Sequence, residues 1–241
     1  MLEPTHLLIL AALAVMLGAF IQTGVGFGVG LVAAPLLMFT LPATVPGTLL
    51  IVGGLMAMIT LLAEWRSVDW PKLGWTLLGR LPGVVAGTWL LVVASKQWLG
   101  VIIGVIVLIA AGLQWWRWNV ALNTRNLLIA GVISGASGTI SSIAGPPLAM
   151  VLAGEPGPKV RSTMAVNFVL GTVMSLVGLA STGNVTTYHW VHAALLLPPL
   201  VIGAALGRPL ARYLDSGRTR AAILIMAGIS GLALVISSLL G

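Results

Sequence analysis

Eight long apolar segments dominate this sequence, and only short loops separate them. They cover about 7–39, 45–64, 74–93, 98–116, 127–152, 161–181, 190–207 and 220–240. A helix needs about 20 apolar residues to cross the hydrocarbon core of a bilayer. Charged residues make up only 7% of the 241 residues, whereas soluble domains carry about 25%. We therefore predict an all-α polytopic protein that forms one membrane domain over 1–241 and has the lipid bilayer as its surroundings.

Two of these segments are interrupted by glycine, proline and polar residues. The first break contains Gln22, Thr23, Gly24, Gly26 and Gly28 and is followed by Pro35. The second contains Gly135, Ser137, Gly138, Thr139, Ser141 and Ser142 and is followed by Gly145, Pro146 and Pro147. Freed backbone groups in lipid need partners, so such breaks persist only against protein or a wet cavity. Because paired breaks in two halves of a transporter indicate its solute site, we predict that these residues bind the substrate. Tight packing of small residues between helices is the alternative.

The order of features divides the chain into two repeats, about 6–118 and 125–241. Leu81-Pro82 and Leu197-Pro198 lie inside the third segment of each half, and Gly87 and Gly203 follow these prolines at the same offset. We therefore expect two pseudo-symmetric halves, each with one broken or re-entrant segment and three transmembrane helices.

The basic residues indicate how the two halves are oriented. If segment 127–152 turns at Gly135–Gly138 and leaves by the face it entered, nearly every Lys and Arg is cytoplasmic, as the positive-inside rule favours. The halves are then inverted relative to each other. Eight full spans with parallel halves remain the alternative.

Four further polar residues are candidates for function. The Asn167 amide lies deep enough to need a partner, either the substrate or a neighbouring helix. Arg80 is expected to extend its side chain toward the cytoplasmic interface, or else to attract anions electrostatically. His189 and His192 share one helix face and are candidates for proton coupling, although solvation at the interface is the simpler expectation.

Several classes of function are excluded by what the sequence lacks. All five acidic residues lie at segment ends, and no His-Glu-x-x-His pattern or serine with a nearby base is present. We therefore predict no enzyme, metal or cofactor. The basic residues lie in loops and form no face with interleaved aromatic residues, so nucleic acid is not an expected partner.

The paired motifs resemble those of the sulfite exporter TauE/SafE family of membrane permeases. The resemblance rests on the run 24–30 leading to Ala34-Pro35-Leu36, on the run 135–138 leading to Gly145-Pro146-Pro147-Leu148, and on the two four-segment halves. It implies transport, most simply export, of sulfur-containing anions such as sulfite, sulfoacetate or other organosulfonates in a bacterial inner membrane.

The resulting hypothesis is a secondary transporter that works by alternating access around a site near the midplane. A small anionic solute is its expected partner. Small-residue faces such as Gly100, Gly104, Gly228 and Gly231 indicate either a homodimer or packing of helices within one protomer. A passive channel for a small anion or neutral solute, and a membrane accessory protein without transport activity, are the alternatives.

Overall fold

A computed structural model describes residues 4–25, 29–116, 120–214 and 217–240, and this part of the chain is helical with no β-strand. Its ten α-helices are α1 (Thr5–Val25), α2 (Val29–Thr40), α3 (Gly47–Glu64), α4 (Trp70–Val93), α5 (Lys96–Trp116), α6 (Thr124–Ser141), α7 (Gly145–Leu152), α8 (Gly157–Ser181), α9 (Thr187–Leu214) and α10 (Gly217–Leu240). The predicted all-α fold is confirmed. Segments 7–39 and 127–152 each contain two helices, as the breaks predict.

Six of the described helices are long and apolar enough to cross a membrane, namely α1, α4, α5, α8, α9 and α10. The apolar helices α2 and α3 are shorter. Large hydrophobic side chains lie on the outside of these helices; Val85 and Trp89 of α4 are exposed. An outer surface of this kind suits contact with lipid, and the molecule is a multi-pass membrane protein.

The second broken segment forms a hairpin of α6 and α7. The backbone N–H of Val120, just before α6, donates a hydrogen bond of 3.3 Å to the carbonyl oxygen of Met150, near the end of α7. On one continuous helix these residues would lie about 45 Å apart. The chain therefore returns to the end of the bundle where it entered, which is the re-entrant geometry.

The turn of this hairpin lies later than expected. The prediction of a turn at Gly135–Gly138 was wrong, because these residues are helical within α6. The reversal follows at Ser142, which has a left-handed φ of 59°. Gly135 stays helical because α4 packs closely against it: a Cβ there would lie 2.6 Å from the carbonyl oxygen of Arg80. The glycines thus allow α6 to pack closely against α4, and the turn is formed by the residues after them.

The first broken segment also reverses direction. A Cβ on Gly18 of α1 would lie 2.9 Å from the carbonyl oxygen of Val29 and 3.5 Å from the Cβ of Ala33 in α2. Residues 18 and 33 would be about 22 Å apart on one helix, so α2 turns back along α1. Gly26 and Gly28, which were predicted to belong to the site, lie outside the described residues.

Close backbone contacts join helices that precede residue 120 to helices that follow it. Helix α4 packs against α6, and a Cβ on Gly83 would overlap the carbonyl oxygen of Val132. Helix α1 packs against α9, and a Cβ on Gly203 would overlap the carbonyl oxygen of Met16. In addition α3 packs against α8, and α5 against α10. Each of these pairs takes one helix from before residue 120 and one from after it.

The small-residue faces of α5 and α10 are used inside the chain. A Cβ on Gly104 would lie 2.7 Å from the carbonyl oxygen of Gly231, and one on Gly231 would lie 2.9 Å from a methyl group of Val107. Gly100 faces Ser238 in the same way. Gly100, Gly104 and Gly231 therefore lie at a contact between two helices of one protomer. The homodimer stays a prediction, and these three glycines do not support it.

Six charged residues, which we call the charged cluster, tie two loops together at one end of the bundle: Glu64, Asp69, Lys72, Glu155, Lys159 and Arg161. Lys72 Nζ lies 2.9 Å from Glu155 Oε1, Lys159 Nζ lies 2.9 Å from Asp69 Oδ2, and Arg161 Nη2 lies 2.7 Å from Glu64 Oε1. The loop between α3 and α4 therefore lies beside the one between α7 and α8.

The lysines of the charged cluster keep its two central carboxylates ionised. Partial burial raises the pKa of Asp69, but hydrogen bonds from Lys72 and Lys159 outweigh it and lower this pKa to about 2. The hydrogen bond from Lys72 likewise lowers the pKa of Glu155. Each carboxylate thus stays charged well below neutral pH.

Candidate functional site

A cavity lies between the two helical hairpins, and the space there that protein atoms do not fill amounts to about 400 Å³, which includes its opening to solvent. Its wall takes residues from seven helices: Gln22, Val29, Leu50, Gly53, Arg80, Gly138, Ser142, Ala144, Gly145, Phe168 and Thr172. Both breaks contribute to it, through Gln22 at one and Ser142 at the other. The two hairpins thus meet at one cavity.

Arg80 supplies the charge of this cavity. It lies ten residues into α4, about 15 Å from the start of the helix, and its side chain is only 2% exposed. Its Nη1 donates to Asn167 Oδ1 at 2.6 Å and lies 3.4 Å from Ser134 Oγ. Among the described residues no carboxylate pairs with it, and its Nε has no hydrogen-bond partner. The prediction that Arg80 extends to the interface is therefore wrong, and its cationic charge is not neutralised.

Three glycines make the space that Arg80 occupies. A Cβ on Gly135 would lie 3.1 Å from Arg80 Cγ, one on Gly138 would lie 3.0 Å from Arg80 Nη2, and one on Gly171 would overlap the guanidinium. We call this the glycine slot. A side chain at Gly171 would therefore displace the guanidinium.

Asn167 lies behind Arg80 and not in the cavity wall. Its side chain is 1% exposed, and its amide accepts from Arg80 through Oδ1 and donates to Thr76 Oγ1 at 2.8 Å. The Thr76 hydroxyl in turn donates to the carbonyl oxygen of Leu73 at 2.8 Å. Both ends of the amide are therefore held by protein groups.

Most hydroxyls predicted to contact the substrate bind backbone carbonyls. Thr23 donates to Ala19, Thr139 to Gly135 and Ser141 to Ser137, at distances of 2.8 to 2.9 Å. The Ser137 hydroxyl lies 2.8 and 2.7 Å from the carbonyl oxygens of Ile133 and Ile143. Such bonds satisfy a hydroxyl inside a helix, and none of these four residues belongs to the cavity wall.

Besides Arg80 Nε, two polar atoms of cavity-lining residues have no hydrogen-bond partner. Gln22 Oε1 and Ser142 Oγ are buried, and neither has a hydrogen bond within the described residues. A buried polar atom without a partner costs about 1–3 kcal/mol, so these atoms suit a polar ligand or water in the cavity.

The remaining predicted residues take up other places. Pro146 and Pro147 form the first turn of α7, where they remove two N–H donors that an anion would use. Pro35 is buried inside α2, and Gly24 lies at the end of α1. The N-terminus of α7 therefore offers few backbone N–H donors to an anion.

The two histidines lie at the start of α9, outside the cavity wall. His192 is 3% exposed, stacks on Tyr188 with ring centroids 3.9 Å apart, and has Nδ1 2.8 Å from the Tyr188 carbonyl oxygen. The expectation of a solvated His192 was wrong, because α9 begins against the start of α3, where Thr48 Oγ1 donates to the His189 carbonyl oxygen at 3.1 Å.

The sequence analysis did not predict the part of the cavity wall that α3 and α8 form. Phe168 and Thr172 of α8 line it, together with Leu50 and Gly53 of α3. One signal was present, since Phe168 follows Asn167 and Thr172 lies about one turn further along the same helix. No periodic pattern marks Leu50, because α3 is apolar on all sides.

An all-helical multi-pass chain with a cavity that contains a buried arginine between two helical hairpins has an architecture that suits a membrane transporter. The family model of the Sulfite exporter TauE/SafE proteins matches residues 10–234, and the chain belongs to this family. A curated relative, the "Probable inner membrane transporter protein TsaS" of Comamonas testosteroni, is 25% identical over 183 residues, which are 71% of this chain and 74% of that protein. No solved structure matches the chain.

Proposed function

We propose that this protein is a secondary transporter that exports small sulfur-containing anions, such as sulfite, sulfoacetate or other organosulfonates, across a bacterial inner membrane. Its site is the cavity at Arg80, which opens alternately to the two sides. The single observation that carries this proposal is the buried guanidinium of Arg80, which faces a cavity and has no anionic partner among the described residues. Membership of the TauE/SafE family supports the choice of solute.

The electrostatics of the cavity favour an anion. An ion removed from water loses several kcal/mol of hydration, and a bound anion would offset much of this cost for Arg80. Guanidinium groups hold oxyanions through short, charge-assisted hydrogen bonds, and sulfite and sulfonates present such oxygens. Ser142 and Thr172, which carry hydroxyl groups, also line this cavity.

Helix pairing supports two inverted halves of about 6–118 and 125–241. The first helix of each half packs against the second of the three transmembrane helices of the other half, as α1 does against α9 and α6 against α4. The charged cluster joins the α3–α4 and α7–α8 loops at one end of the bundle. If all eight segments crossed the membrane, these two loops would lie on opposite sides of it. With both hairpins re-entrant, the Lys and Arg residues of the described ranges other than Arg80 and Lys96 lie on one side, which the positive-inside rule makes cytoplasmic.

Flux through purified protein in liposomes tests the proposal. We expect saturable flux of labelled sulfite or sulfoacetate, and a loss of at least about tenfold in Arg80→Gln, because hydrogen bonds to a charged group contribute about 1.5–3 kcal/mol. Arg66→Gln removes the same charge from an exposed residue and serves as the control. Absence of flux from folded wild-type protein would contradict the proposed solute, and flux that does not saturate would favour a channel.

A further inference from the structure

We infer that Asn167 sets the charge selectivity of the site by being an amide and not a carboxylate. This inference rests on the proposed function, because it concerns how Arg80 is kept available for an anion. Asn167 is then a positioning residue that acts through Arg80 and does not contact the solute.

The geometry of the pair carries the first step. Asn167 Oδ1 accepts from Arg80 Nη1 at 2.6 Å, and the rest of the amide is fixed by its donation to Thr76 Oγ1. An aspartate has nearly the same shape and would accept the same hydrogen bond with a full negative charge. Position 167 is therefore the place where a minimal change would neutralise the guanidinium.

The other partners of Arg80 are also neutral. The hydrogen bonds that Arg80 makes to described residues end on the Asn167 amide, the Asn167 carbonyl oxygen at 3.3 Å and the Ser134 hydroxyl at 3.4 Å. These groups fix Nη1 without cancelling its charge. The guanidinium is thus oriented by neutral groups on one side, while Nε remains unpartnered and Nη2 lies beside Gly138 in the cavity wall.

Two properties are expected to change in opposite directions when a carboxylate replaces the amide. An Asp–Arg pair relieves the cost of an unpaired buried charge, so the ligand-free protein becomes more stable. The same pair removes the net positive charge that attracts the anion, so anion affinity falls. A purely structural role for Asn167 would not predict higher stability together with lower anion affinity.

The experiment uses Asn167→Asp in the full chain, with sulfite as the probe. We expect the thermal midpoint without sulfite to rise, and the sulfite concentration for half-maximal stabilisation and for half-maximal flux to increase by about tenfold to a hundredfold. Asn184→Asp, which adds the same charge at an exposed loop residue, should leave both concentrations unchanged.

The outcomes separate this inference from the proposed function. If wild-type protein shows neither sulfite stabilisation nor flux, the proposed function fails. If the wild type binds and transports sulfite and Asn167→Asp does so equally well, the inference is overturned. Should Asn167→Asp not fold, Thr172→Asp brings a carboxylate to the wall of the same cavity; an unchanged sulfite affinity there would overturn the inference as well.

Discussion

Near the middle of α4, the side chain of Arg80 lies between the glycine slot and the amide of Asn167. Gly135, Gly138 and Gly171 leave the space for its side chain, and Asn167 fixes one end of its guanidinium. In the proposed anion site, the glycine-rich stretch thus has the role of leaving space for the arginine. The glycines admit the arginine, and the arginine provides the charge.

Gly171→Ala tests the glycine slot. The added methyl group would overlap the guanidinium, so Arg80 must shift out of its position. We expect folded protein with at least about tenfold weaker stabilisation by sulfite, because a charge-assisted hydrogen bond contributes about 1.5–3 kcal/mol. Gly228→Ala is the matched control, since a Cβ there meets nothing within 4 Å. Equal sulfite affinity in both variants would argue against the slot.

Residue types and order predicted that the two breaks lie close together, but not the direction of their side chains. The two breaks do meet, and Gln22, Gly138, Ser142 and Gly145 line the cavity. The sequence could not show that hydroxyls such as Thr139 are satisfied within their own helix, because that depends on rotamers. Nor could it show that Arg80 turns inward, because this requires space from glycines of α6 and α8, which are distant in sequence.

At the scale of elements, the hairpin of α6 and α7 reverses the chain within one apolar segment. Its turn depends on Ser142 in the left-handed region, where a non-glycine residue costs about 1–2 kcal/mol. The sequence predicted a break in this segment but placed it at the glycines. Glycine permits a turn, but close packing against α4 keeps Gly135 and Gly138 helical, so the reversal falls at the next residues that lack such packing.

Replacing Ser142 by glycine should therefore stabilise the protein. We expect the midpoint of thermal unfolding in detergent to rise, by an amount that corresponds to about 1 kcal/mol. Ser141→Gly, one residue earlier and still helical, should lower the midpoint, because glycine is unfavourable inside a helix. The same shift in both variants would contradict the assignment of the turn.

The contact between α4 and α6 offers a second test at this scale. Gly83→Ala places a methyl group on the carbonyl oxygen of Val132, so the helices must move apart and the protein should lose about 1–3 kcal/mol of stability. Gly74→Ala on the same helix adds a methyl group in open space and should not destabilise. Thermal unfolding of both variants in one detergent is the measurement, and equal midpoints would mean that α4 tolerates a wider spacing.

For the molecule as a whole, the charged cluster joins the two proposed halves at the end where their loops meet. Lys72 lies eight residues before Arg80 in α4, so the cluster is about 12 Å along the helix from the site. In an alternating-access cycle these ion pairs would close the cytoplasmic end and would have to separate when the site opens there. Asp69 is central, because it pairs with Lys72 in its own half and with Lys159 in the other.

Acid should weaken this closure. Because the folded pKa of Asp69 is about 2 and an unfolded aspartate has a pKa of about 3.9, the stabilisation is complete above about pH 4 and is lost as the pH falls toward about 2. We expect thermal midpoints of the wild type to fall over this range and those of Asp69→Asn to fall less. If the thermal midpoints of the wild type and of Asp69→Asn fall equally over this pH range, the ion pairs of Asp69 contribute nothing to stability.

The orientation of the halves is testable because the sequence contains no cysteine. Single cysteines at Ser67 and Gly154, in the two loops joined by the charged cluster, should react with an impermeant reagent from the same side of the membrane. Ser162 is unsuitable, since it is fully buried. A cysteine at Ser95 should react from the opposite side. Labelling of Ser67 and Gly154 from opposite sides would rule out the inverted arrangement.

The most direct test of the central claim is counterflow of labelled sulfite in liposomes that contain either wild-type protein or Arg80→Gln, with Arg66→Gln as the matched control. A carrier with its anion site at Arg80 predicts that unlabelled internal sulfite accelerates uptake of the label in the wild type and in Arg66→Gln. The acceleration should be lost in Arg80→Gln. Counterflow that persists at the wild-type rate in Arg80→Gln would contradict the claim that this arginine holds the transported anion.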